Sequence, residues 1–216
     1  MQREDRYENK RYEKTRQDVL CPICFSVSRH RILVSWMTDH IEEIRGNGEP
    51  KRILHFAQER SVRMWMDRNG VVATTADVYN QADLKIDIED TGLADDSYDI
   101  IICNHVLEHV NDFRRALKEV YRILSPGGYM LCSFPMDKDV ELVDEDPSIT
   151  TDEERRARFG QVDHNRVFGM KAGELLEDAG FMVEEICGED YPEEILPVIG
   201  PADYDMNILF RCVKRL

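Results

Sequence analysis

Apolar residues between positions 98 and 134 form two short runs separated by a stretch of helical spacing. Residues 98–103 and 129–134 are largely apolar, the pattern of strands buried on both faces of a parallel sheet. Between the runs, apolar residues recur every three or four positions, at Phe113, Ala116, Leu117, Val120 and Leu124. This spacing predicts a helix, which we expect Asn111 to cap and the Pro-Gly-Gly at 126–128 to end. The stretch predicts a β-α-β unit with a right-handed crossover.

The same criteria divide the rest of the chain into strands and helices. Strands are predicted at residues 52–57, 71–76, 84–86, 181–187 and 206–213, and helices at 29–44, 58–69 and 171–179. Strands that alternate with helices indicate an α/β fold. We predict a Rossmann-like doubly wound sheet of seven strands, mostly parallel with an antiparallel C-terminal strand, and helices on both faces.

Two segments depart from this regular alternation. Residues 1–49 combine a charged arm at 1–20, a cysteine pair, and the helix at 29–44, which we expect to cover one end of the sheet. Residues 50–216 form the main domain. Within it, residues 135–170 are too many for a plain connection, so we predict a lid or substrate-binding insert. Thr151 and Glu154 have capping-box spacing, which predicts a short helix inside this insert.

Charge and composition narrow the classes of partner. The 216 residues carry a formal net charge of −15, which repels phosphate backbones, so we expect no nucleic acid partner. No apolar run approaches the roughly 20 residues that cross a bilayer, and the charged N-terminus lacks a signal-peptide core, so we expect no membrane partner. Four cysteines lie in apolar runs and indicate buried thiols: Cys103, Cys132, Cys187 and Cys212. Reduced thiols favour a cytoplasmic location.

Polar residues directly follow two of the predicted strands. Asn104 and His105 follow the strand at 98–103, and residues 133–136 end the strand at 129–134. Ligands of such sheets bind beyond the carboxyl ends of the strands. We therefore expect a ligand site at this edge.

The order of these motifs resembles that of a known enzyme family. The sequence D-D-S-Y-D-I-I-I-C-N-H-V-L-E-H-V, followed by a helix and then L-S-P-G-G-Y, is similar to the central motifs of class I methyltransferases. Over about residues 50–216, the resemblance implies the fold predicted above and S-adenosylmethionine as the cofactor.

The turn after the first predicted strand departs from the usual family pattern. Most class I methyltransferases have a glycine-rich turn there, and this chain has Phe56, Ala57, Gln58 and Glu59. The turn is similar to the H-F-A-x-E element of a bacterial subgroup that begins with a zinc-knuckle-like segment. By this resemblance, Phe56, Ala57 and Glu59 would lie against the methionine part of the cofactor.

Further cofactor residues follow from the resemblance. Asp77 would accept hydrogen bonds from the ribose hydroxyls, Asp87 would face the adenine amino group, and Ile88 would pack on the adenine ring. Asn104 and His105 would lie beside the methyl group. For Asp77 the alternative is an aspartate that only shapes a turn.

The segment F-G-Q-V-D-H-N-R-V-F-G at residues 159–169 concentrates polar chemistry at the end of the insert. Relatives carry a similar element, which implies substrate binding by Asp163, His164 and Arg166. The alternative is a solvated loop with an internal Asp–Arg contact. His164 is the leading candidate for the general base, since a histidine accepts protons near neutral pH. His105 is the second catalytic candidate.

Cys21-Pro-Ile-Cys24 is half of a zinc site, and the chain has no second C-x-x-C. The zinc-knuckle subgroup has a further cysteine pair upstream, which this chain lacks. We expect a turn held by packing, with no metal ligands. The alternative is a metal shared between the two chains of a homodimer.

Together these observations predict methyl transfer from S-adenosylmethionine to an oxygen or nitrogen of a small-molecule acceptor, such as a sugar or a secondary metabolite. Two alternatives remain: a methyltransferase-like binding protein without catalysis, and a methyltransferase acting on a protein. A nicotinamide-dependent reductase is disfavoured because the first turn lacks G-x-G-x-x-G.

Overall fold

The computed structural model describes residues 21–46, 48–191 and 208–216. In these ranges the helices are α1 (Ser28–Asp39), α2 (Ile41–Arg45), α3 (Arg60–Asn69), α4 (Phe113–Ile123), α5 (Asp152–Phe159) and α6 (Ala172–Asp178). The strands are β1 (Ile53–Phe56), β2 (Thr74–Ala76), β3 (Tyr98–Asn104), β4 (Leu124–Ser133), β5 (Val143–Glu145), β6 (Arg166–Phe168), β7 (Met182–Cys187) and β8 (Ile208–Val213). The predicted charged arm and residues 206–207 lie outside the described residues.

Six strands form the main sheet, in the order β2-β1-β3-β4-β8-β7. The pairs β1–β2, β1–β3 and β3–β4 are parallel, whereas β8 runs antiparallel to both β4 and β7. The predicted α/β sheet with an antiparallel C-terminal strand is confirmed. None of the helices in the described ranges is long and apolar enough to cross a membrane.

The predicted strand at 84–86 does not form, and the count of seven strands is corrected to six in the main sheet. Leu84 makes a single parallel bridge to Ala76, through its N–H to the Thr75 carbonyl and its carbonyl to the Asp77 N–H. The chain then turns, and Asp87 forms its own bridge to Asp90. Pairing stops at one bridge because the chain leaves the sheet edge within three residues.

The side chains of β3 divide between the two faces of the sheet, since successive residues of a strand point to opposite sides. Ile101 and Cys103 pack in a core that includes the apolar faces of α4 and α6. Ile100 and Ile102 pack in a second core with α1 and α3. The predicted helices on both faces are confirmed, and α1 lies on a face of the sheet, not across one end as expected.

Two helix boundaries differ from the predicted ones. The helix predicted at 29–44 is divided at His40, whose ring stacks on Trp36 at 4.0 Å between centroids and whose Nδ1 lies 2.9 Å from the Trp36 carbonyl. The helix predicted at 58–69 begins at Arg60, because Glu59 has extended backbone and is the N-cap.

The boundaries of α4 follow from one side chain and one close approach. Asp112, not Asn111, is the N-cap, and its carboxylate accepts hydrogen bonds from the N–H groups of Arg114 and Arg115, both at 3.0 Å. The helix ends at Ile123, three residues before the Pro126 that begins the Pro-Gly-Gly predicted to end it, and β4 begins at once. A Cβ on Gly128 would lie 2.8 Å from the Asp99 carbonyl oxygen, so β3 and β4 approach there only with glycine.

The insert at 135–170 contains β5, α5 and β6. β5 and β6 pair antiparallel as a separate sheet, and α5 has the predicted capping box between Thr151 and Glu154. Val140, Phe159 and Val167 form a small core within the insert. Phe168 instead enters the main core, with its ring centroid 4.1 Å from that of Phe134 and 5.3 Å from that of Phe113. The insert is therefore packed against the sheet.

The capping assignment can be tested by stability. We expect Asp112→Ala to lower the free energy of unfolding by about 1 kcal/mol, since two N–H groups of the first turn lose their acceptor. Asn111→Ala is the matched control and should change it by less than about 0.5 kcal/mol. Urea denaturation of both variants measures this, and a larger loss for Asn111→Ala would restore the original prediction.

Candidate functional site

The carboxyl ends of β1, β2, β3 and β4 meet at one edge of the sheet because these strands are parallel. The turns that follow them bring together three of the predicted elements: the turn at 56–59, Asp77, and Asn104 with His105. The polar residues that the sequence associates with a ligand therefore occupy one edge.

The turn after β1 adopts a glycine-like conformation without glycine. Ala57 has a φ of +47°, in the left-handed region that disfavours side chains. Its N–H donates to the Ala76 carbonyl at 2.9 Å, which ties the turn to the end of β2. Phe56 is buried. The backbone thus has the left-handed conformation usually taken by glycine, and the only side chain at that position is the methyl group of Ala57.

Glu59 connects four elements at this edge. Its Oε1 accepts a hydrogen bond from Asn104 Nδ2 at 2.7 Å and lies 2.9 Å from His30 Nε2. Its Oε2 lies 3.8 Å from the Nε2 of His55 in β1. Asn104 in turn accepts a hydrogen bond from the Ser133 hydroxyl at the end of β4. One carboxylate therefore links α1, β1, β3 and, through Asn104, β4.

The carboxylate of Glu59 is charged at neutral pH although its side chain is only 17% exposed. Burial alone would raise the pKa of Glu59, but the imidazoles of His30 and His55 outweigh it and hold the pKa below its usual range. His30 Nδ1 accepts a hydrogen bond from the Val27 N–H at 2.9 Å, so the ring proton of a neutral His30 lies on Nε2, facing Glu59. Neither His30 nor His55 was among the site residues predicted from the sequence.

Asp77 shapes the loop after β2. Its carboxylate accepts hydrogen bonds from the N–H groups of Tyr79 and Asn80, both at 2.7 Å. Burial raises its pKa, and these hydrogen bonds outweigh that effect, so the net pKa is lowered. Asp77 also lines an open cavity of about 790 Å³, together with Ala57 and Gln58. Asp77 therefore does shape the loop, and it also borders a cavity that extends to the turn after β1.

Asp87 and Ile88 differ in exposure. Asp87 is exposed, and its carboxylate accepts a hydrogen bond from the Glu89 N–H at 2.8 Å. Ile88 is buried and belongs to the core on the α4 face. Neither residue lines the cavity beside Asp77.

His105 stands where β3 leaves the sheet. Its φ of +53° is left-handed, and its N–H donates to the Ser133 carbonyl at 2.8 Å. The ring Nδ1 lies 3.1 Å from Oε1 of Glu108, whose side chain is 0% exposed, while the His105 side chain is 16% exposed. Burial would raise the Glu108 pKa, but the neighbouring His105 and His109 lower it below its ordinary value. An imidazole backed by a buried carboxylate is an arrangement that can accept a proton.

Of the three insert residues predicted to bind substrate, His164 and Arg166 are buried and Asp163 is exposed. His164 is buried, its Nδ1 lies 3.2 Å from the Phe159 carbonyl, and its ring meets His109 edge-on at 4.8 Å between centroids. Burial lowers its pKa, so it is neutral at pH 7. Asp163 is largely exposed, and its carbonyl accepts a hydrogen bond from His109 Nδ1 at 3.0 Å.

Arg166 is committed to holding the insert on the β3–α4 turn. Its guanidinium donates to the carbonyls of Leu107 and Val110, each at 2.7 Å, and of Asn111 at 2.8 Å. It also pairs with Glu145 in β5 at 3.2 Å. The partner of Arg166 is therefore Glu145, and the Asp–Arg contact considered as the alternative is not the one observed.

The cysteine pair forms a turn next to α3. Cys24 Sγ donates to the Ser26 hydroxyl at 3.3 Å, and the Arg60 guanidinium lies over the Phe25 ring at 4.8 Å. All six cysteines are free thiols. Packing contacts thus join this turn to the helix that Glu59 caps.

Comparison with known proteins identifies the fold. Residues 46–132 match the protein family described as "Methyltransferase domain". A segment of 55 residues is 36% identical to the reducing polyketide synthase Preu2 of Preussia isomera, and covers 26% of this chain and 2% of the synthase. The crystal structure of 1,6-didemethyltoxoflavin-N1-methyltransferase from Burkholderia thailandensis, with 1,6-didemethyltoxoflavin and S-adenosylhomocysteine bound, aligns with a TM-score of 0.58. Its identity is 13%, over 87% of this chain and 79% of that one. The [4+2]-cyclase SpnF aligns with a TM-score of 0.54 and 15% identity, over 86% of this chain and 81% of that one.

The chain has the methyltransferase fold. The segment that matches the methyltransferase domain runs from Gly46 to Cys132 and contains every residue predicted to contact the cofactor: Phe56, Ala57, Glu59, Asp77, Asp87, Ile88, Asn104 and His105. The predicted substrate residues Asp163, His164 and Arg166 lie beyond it, in the insert. The matched segment spans about 2% of the polyketide synthase, so that relative bears on this segment alone.

One buried group of this methyltransferase fold was missed by sequence reasoning. Glu108 lies within the quoted N-H-V-L-E-H-V motif, but its neighbours His105 and His109 drew the attention. The available signal was its spacing, because a carboxylate three residues after His105 and directly before His109 can face both rings within one turn.

The role of Glu59 can be tested through the pH dependence of stability. Its folded-state pKa is depressed, so its contribution is present above the unfolded-state pKa of about 4.3 and is lost as the pH falls below it. We expect Glu59→Gln to lower the free energy of unfolding by about 1–3 kcal/mol near pH 7, and the difference from wild type to shrink toward about pH 3.

The matched control for this measurement is Glu42→Gln, at an exposed carboxylate of α2 whose side chain is 79% exposed. We expect a change below about 0.5 kcal/mol at every pH. Urea denaturation across the pH range measures both variants. A Glu59→Gln difference that does not change with pH would show that the carboxylate charge is not what stabilises this edge.

Proposed function

We propose that this protein is an S-adenosylmethionine-dependent methyltransferase that methylates an oxygen or nitrogen of a small molecule, such as a sugar or a secondary metabolite. The observation that carries the proposal is the edge where Ala57, Asp77, Asn104 and His105 follow adjacent parallel strands. That edge lies within the segment that matches the methyltransferase domain.

The chemistry of this edge fits S-adenosylmethionine. In the proposed arrangement Asp77 accepts hydrogen bonds from the ribose hydroxyls, since it is charged and lines the cavity with Ala57. The tight turn at Ala57 would let the protein backbone approach the methionine part of the cofactor. Phe56 and Glu59, on either side of Ala57, would hold the turn in place. Asp87 and Ile88 would take the adenine, and Asn104 and His105 the region of the methyl group.

Methyl transfer makes modest demands on the protein's own residues. S-adenosylmethionine supplies an activated methyl group on a positively charged sulfur, so the main tasks left to the chain are to align the acceptor and exclude water. The insert supports the second task, because it is packed against the main core through Phe168 and Arg166.

We propose His105 as the general base that accepts the proton of the acceptor. Its Nδ1 faces the buried Glu108 carboxylate, which orients the ring and leaves Nε2 to receive a proton. His164 was the first candidate from the sequence, and its burial supports a positioning role for it instead. Asp163 and Arg166 would then bind substrate indirectly, by holding the insert on the β3–α4 turn.

A small-molecule acceptor is supported by one comparison. The structure from Burkholderia thailandensis is of an N1-methyltransferase with 1,6-didemethyltoxoflavin bound. The net charge of −15 argues against a nucleic acid acceptor, although it would suit a basic protein segment. A KM that rises with salt for a basic peptide would favour that protein acceptor.

The N-terminal segment supports membership of the zinc-knuckle-like subgroup. The two elements by which the chain resembles that subgroup are C-P-I-C-F-S-V-S-R-H-R and H-F-A-x-E. They touch in the structure, because His30 of the first lies 2.9 Å from Glu59 of the second. We propose that the cysteine turn is retained as the attachment that keeps His30 in place.

A binding protein without catalysis is the second candidate function. SpnF has this fold and is described as a [4+2]-cyclase, so the fold is compatible with activities other than methyl transfer. The turn after β1 also lacks glycine in this chain. Cofactor binding without methyl transfer to any tested acceptor would favour this candidate.

The cofactor assignment predicts that Asp77→Ala weakens S-adenosylmethionine binding by about 1–3 kcal/mol, or roughly 5- to 150-fold, through loss of charge-assisted hydrogen bonds. Asp77→Asn keeps an oxygen for the N–H groups of Tyr79 and Asn80, so it separates loss of charge from loss of the loop. Asp83→Ala, which removes another carboxylate of the same loop, is the matched control. Calorimetry measures all three, and unchanged affinity in Asp77→Ala would remove Asp77 from the site.

The base assignment predicts that His105→Ala lowers the single-turnover methyl-transfer rate by about 10²–10⁴-fold and also weakens cofactor binding. His164→Ala should act mainly through a higher KM for the acceptor, with a much smaller loss of rate at saturation. Rapid-quench kinetics and calorimetry on both variants measure these effects. If His164→Ala alone abolishes the rate, the two roles are reversed, and if neither does, no base is needed.

A further inference from the structure

Three side chains meet where the insert touches the β3–α4 turn. Glu108 and His109 come from that turn, and His164 comes from the insert, more than fifty residues later in the chain. One carboxylate oxygen and one ring nitrogen from each histidine all lie within 4.8 Å of one another. We call these residues the Glu108 cluster.

Both histidines of the cluster are oriented by carbonyl groups on their far side. His109 Nδ1 lies 3.0 Å from the Asp163 carbonyl, and His164 Nδ1 lies 3.2 Å from the Phe159 carbonyl. A carbonyl can only accept, so each Nδ1 carries the proton. Each neutral ring therefore keeps its lone pair on Nε2, which is the state and the kind of outer hydrogen bond that metal-ligating histidines have.

The carboxylate of Glu108 has fewer hydrogen-bond donors than a buried charge ordinarily has. Its side chain is 0% exposed, and neither oxygen accepts a well-formed hydrogen bond from any described residue. Within the described ranges its ion-pair neighbours are imidazoles alone, His105 at 3.1 Å and His109 at 3.8 Å. Arg166, which donates to the same turn, binds three backbone carbonyls and Glu145.

A buried carboxylate without such partners is costly unless a cation neutralises it. The carbonyl contacts at Nδ1 place the lone pair of each imidazole, in its neutral form, on Nε2, where a cation can accept it. A cation that accepts two nitrogen lone pairs and one carboxylate satisfies all three groups at once. We propose that Glu108, His109 and His164 bind one divalent transition-metal ion, of which Zn²⁺ is the best match.

The donor set decides the kind of metal. Two imidazoles and one carboxylate form a ligand set known for zinc and for other first-row transition metals. Mg²⁺ and Ca²⁺ prefer oxygen ligands, so they fit this cluster poorly. Zinc bonds of about 2.0–2.1 Å would bring the donors to about 3.3 Å apart, so the cluster contracts modestly on binding.

An ion bound at the Glu108 cluster would affect the site in two ways. It would join the insert to the β3–α4 turn at the same place where Arg166 already holds them together. Oε1 of Glu108 faces both His105 Nδ1 and His109 Nε2, so an ion held by Glu108 and His109 would also lie close to His105. This inference concerns metal binding and does not depend on methyl transfer.

The test is a titration of the chelator-treated full chain with ZnCl₂, followed by calorimetry and by thermal melting. We expect one Zn²⁺ per chain and a higher melting temperature, with much weaker binding of Mg²⁺. Glu108→Gln, His109→Gln and His164→Gln should each weaken zinc binding by more than about 100-fold, since losing a ligand costs more than the 10–100-fold known for an outer-shell partner. His109 has a side chain that is 35% exposed, so its variant is the least prone to misfold.

The cysteine pair provides the discriminating control. Cys21→Ser/Cys24→Ser removes the other plausible zinc ligands and should leave the affinity unchanged. With Co²⁺ in place of Zn²⁺, the spectrum should show ligand-field bands without the sulfur-to-cobalt charge-transfer band of a thiolate site. Zinc binding that survives His109→Gln in a folded protein, that is lost in the double cysteine variant, or that is absent from wild type would overturn the proposal.

Discussion

The charged carboxylate of Glu59 is the constraint on which the proposed ligand edge depends. A carboxylate that is 17% exposed needs polar partners, and its partners come from separate elements: Asn104 at the end of β3 donates a hydrogen bond, and the imidazoles of His30 in α1 and His55 in β1 lie at 2.9 and 3.8 Å. Because each partner must point at the same two oxygens, their elements are fixed relative to one another. The helix that precedes the sheet in sequence is thereby attached to the sheet's carboxyl edge.

This constraint also explains how a turn without glycine can work. A non-glycine residue in the left-handed region costs roughly 1–2 kcal/mol, and Ala57 adopts it. Two residues later Glu59 is held by Asn104 and the histidines, and Ala57 itself donates to Ala76. The contacts around Ala57 therefore hold the backbone in the left-handed conformation that a glycine would adopt at lower cost. The contact between His30 and Glu59 also attaches this turn to the N-terminal segment that carries the cysteine pair.

Periodicity located the strands of the main sheet and most of the helices because burial of strand faces and helix faces leaves a repeating pattern in the sequence. The stretch at 84–86 has the residues of a strand, but the chain leaves the edge of the sheet after one bridge. A local sequence pattern does not reveal where the chain leaves the sheet. The positions of Asn104 and His105 at the edge followed from the parallel topology, and that of Asp77 from the family resemblance. The burial of His164 and the hydrogen bonds of Arg166 could not be predicted in this way. Both depend on how the insert packs against a turn that lies more than fifty residues earlier in the chain. Glu108 was overlooked because a glutamate in a polar turn is ordinarily exposed.

Two carboxylates, the half-buried Glu59 and the buried Glu108, thus contact Asn104, the last residue of β3, and His105, which follows it. Glu59 holds Asn104, and Glu108 faces His105, so the two adjacent residues nearest the proposed methyl group are each oriented by a separate anion. Such an arrangement suits a reaction whose rate depends on alignment, because both side chains are held before a substrate arrives. The arrangement also divides the site into two parts. The Glu59 side includes the turn proposed to hold the cofactor, whereas the Glu108 side contacts the insert. Under the proposed function, changes in the insert would alter the acceptor that is admitted and leave the turn at Glu59 in place.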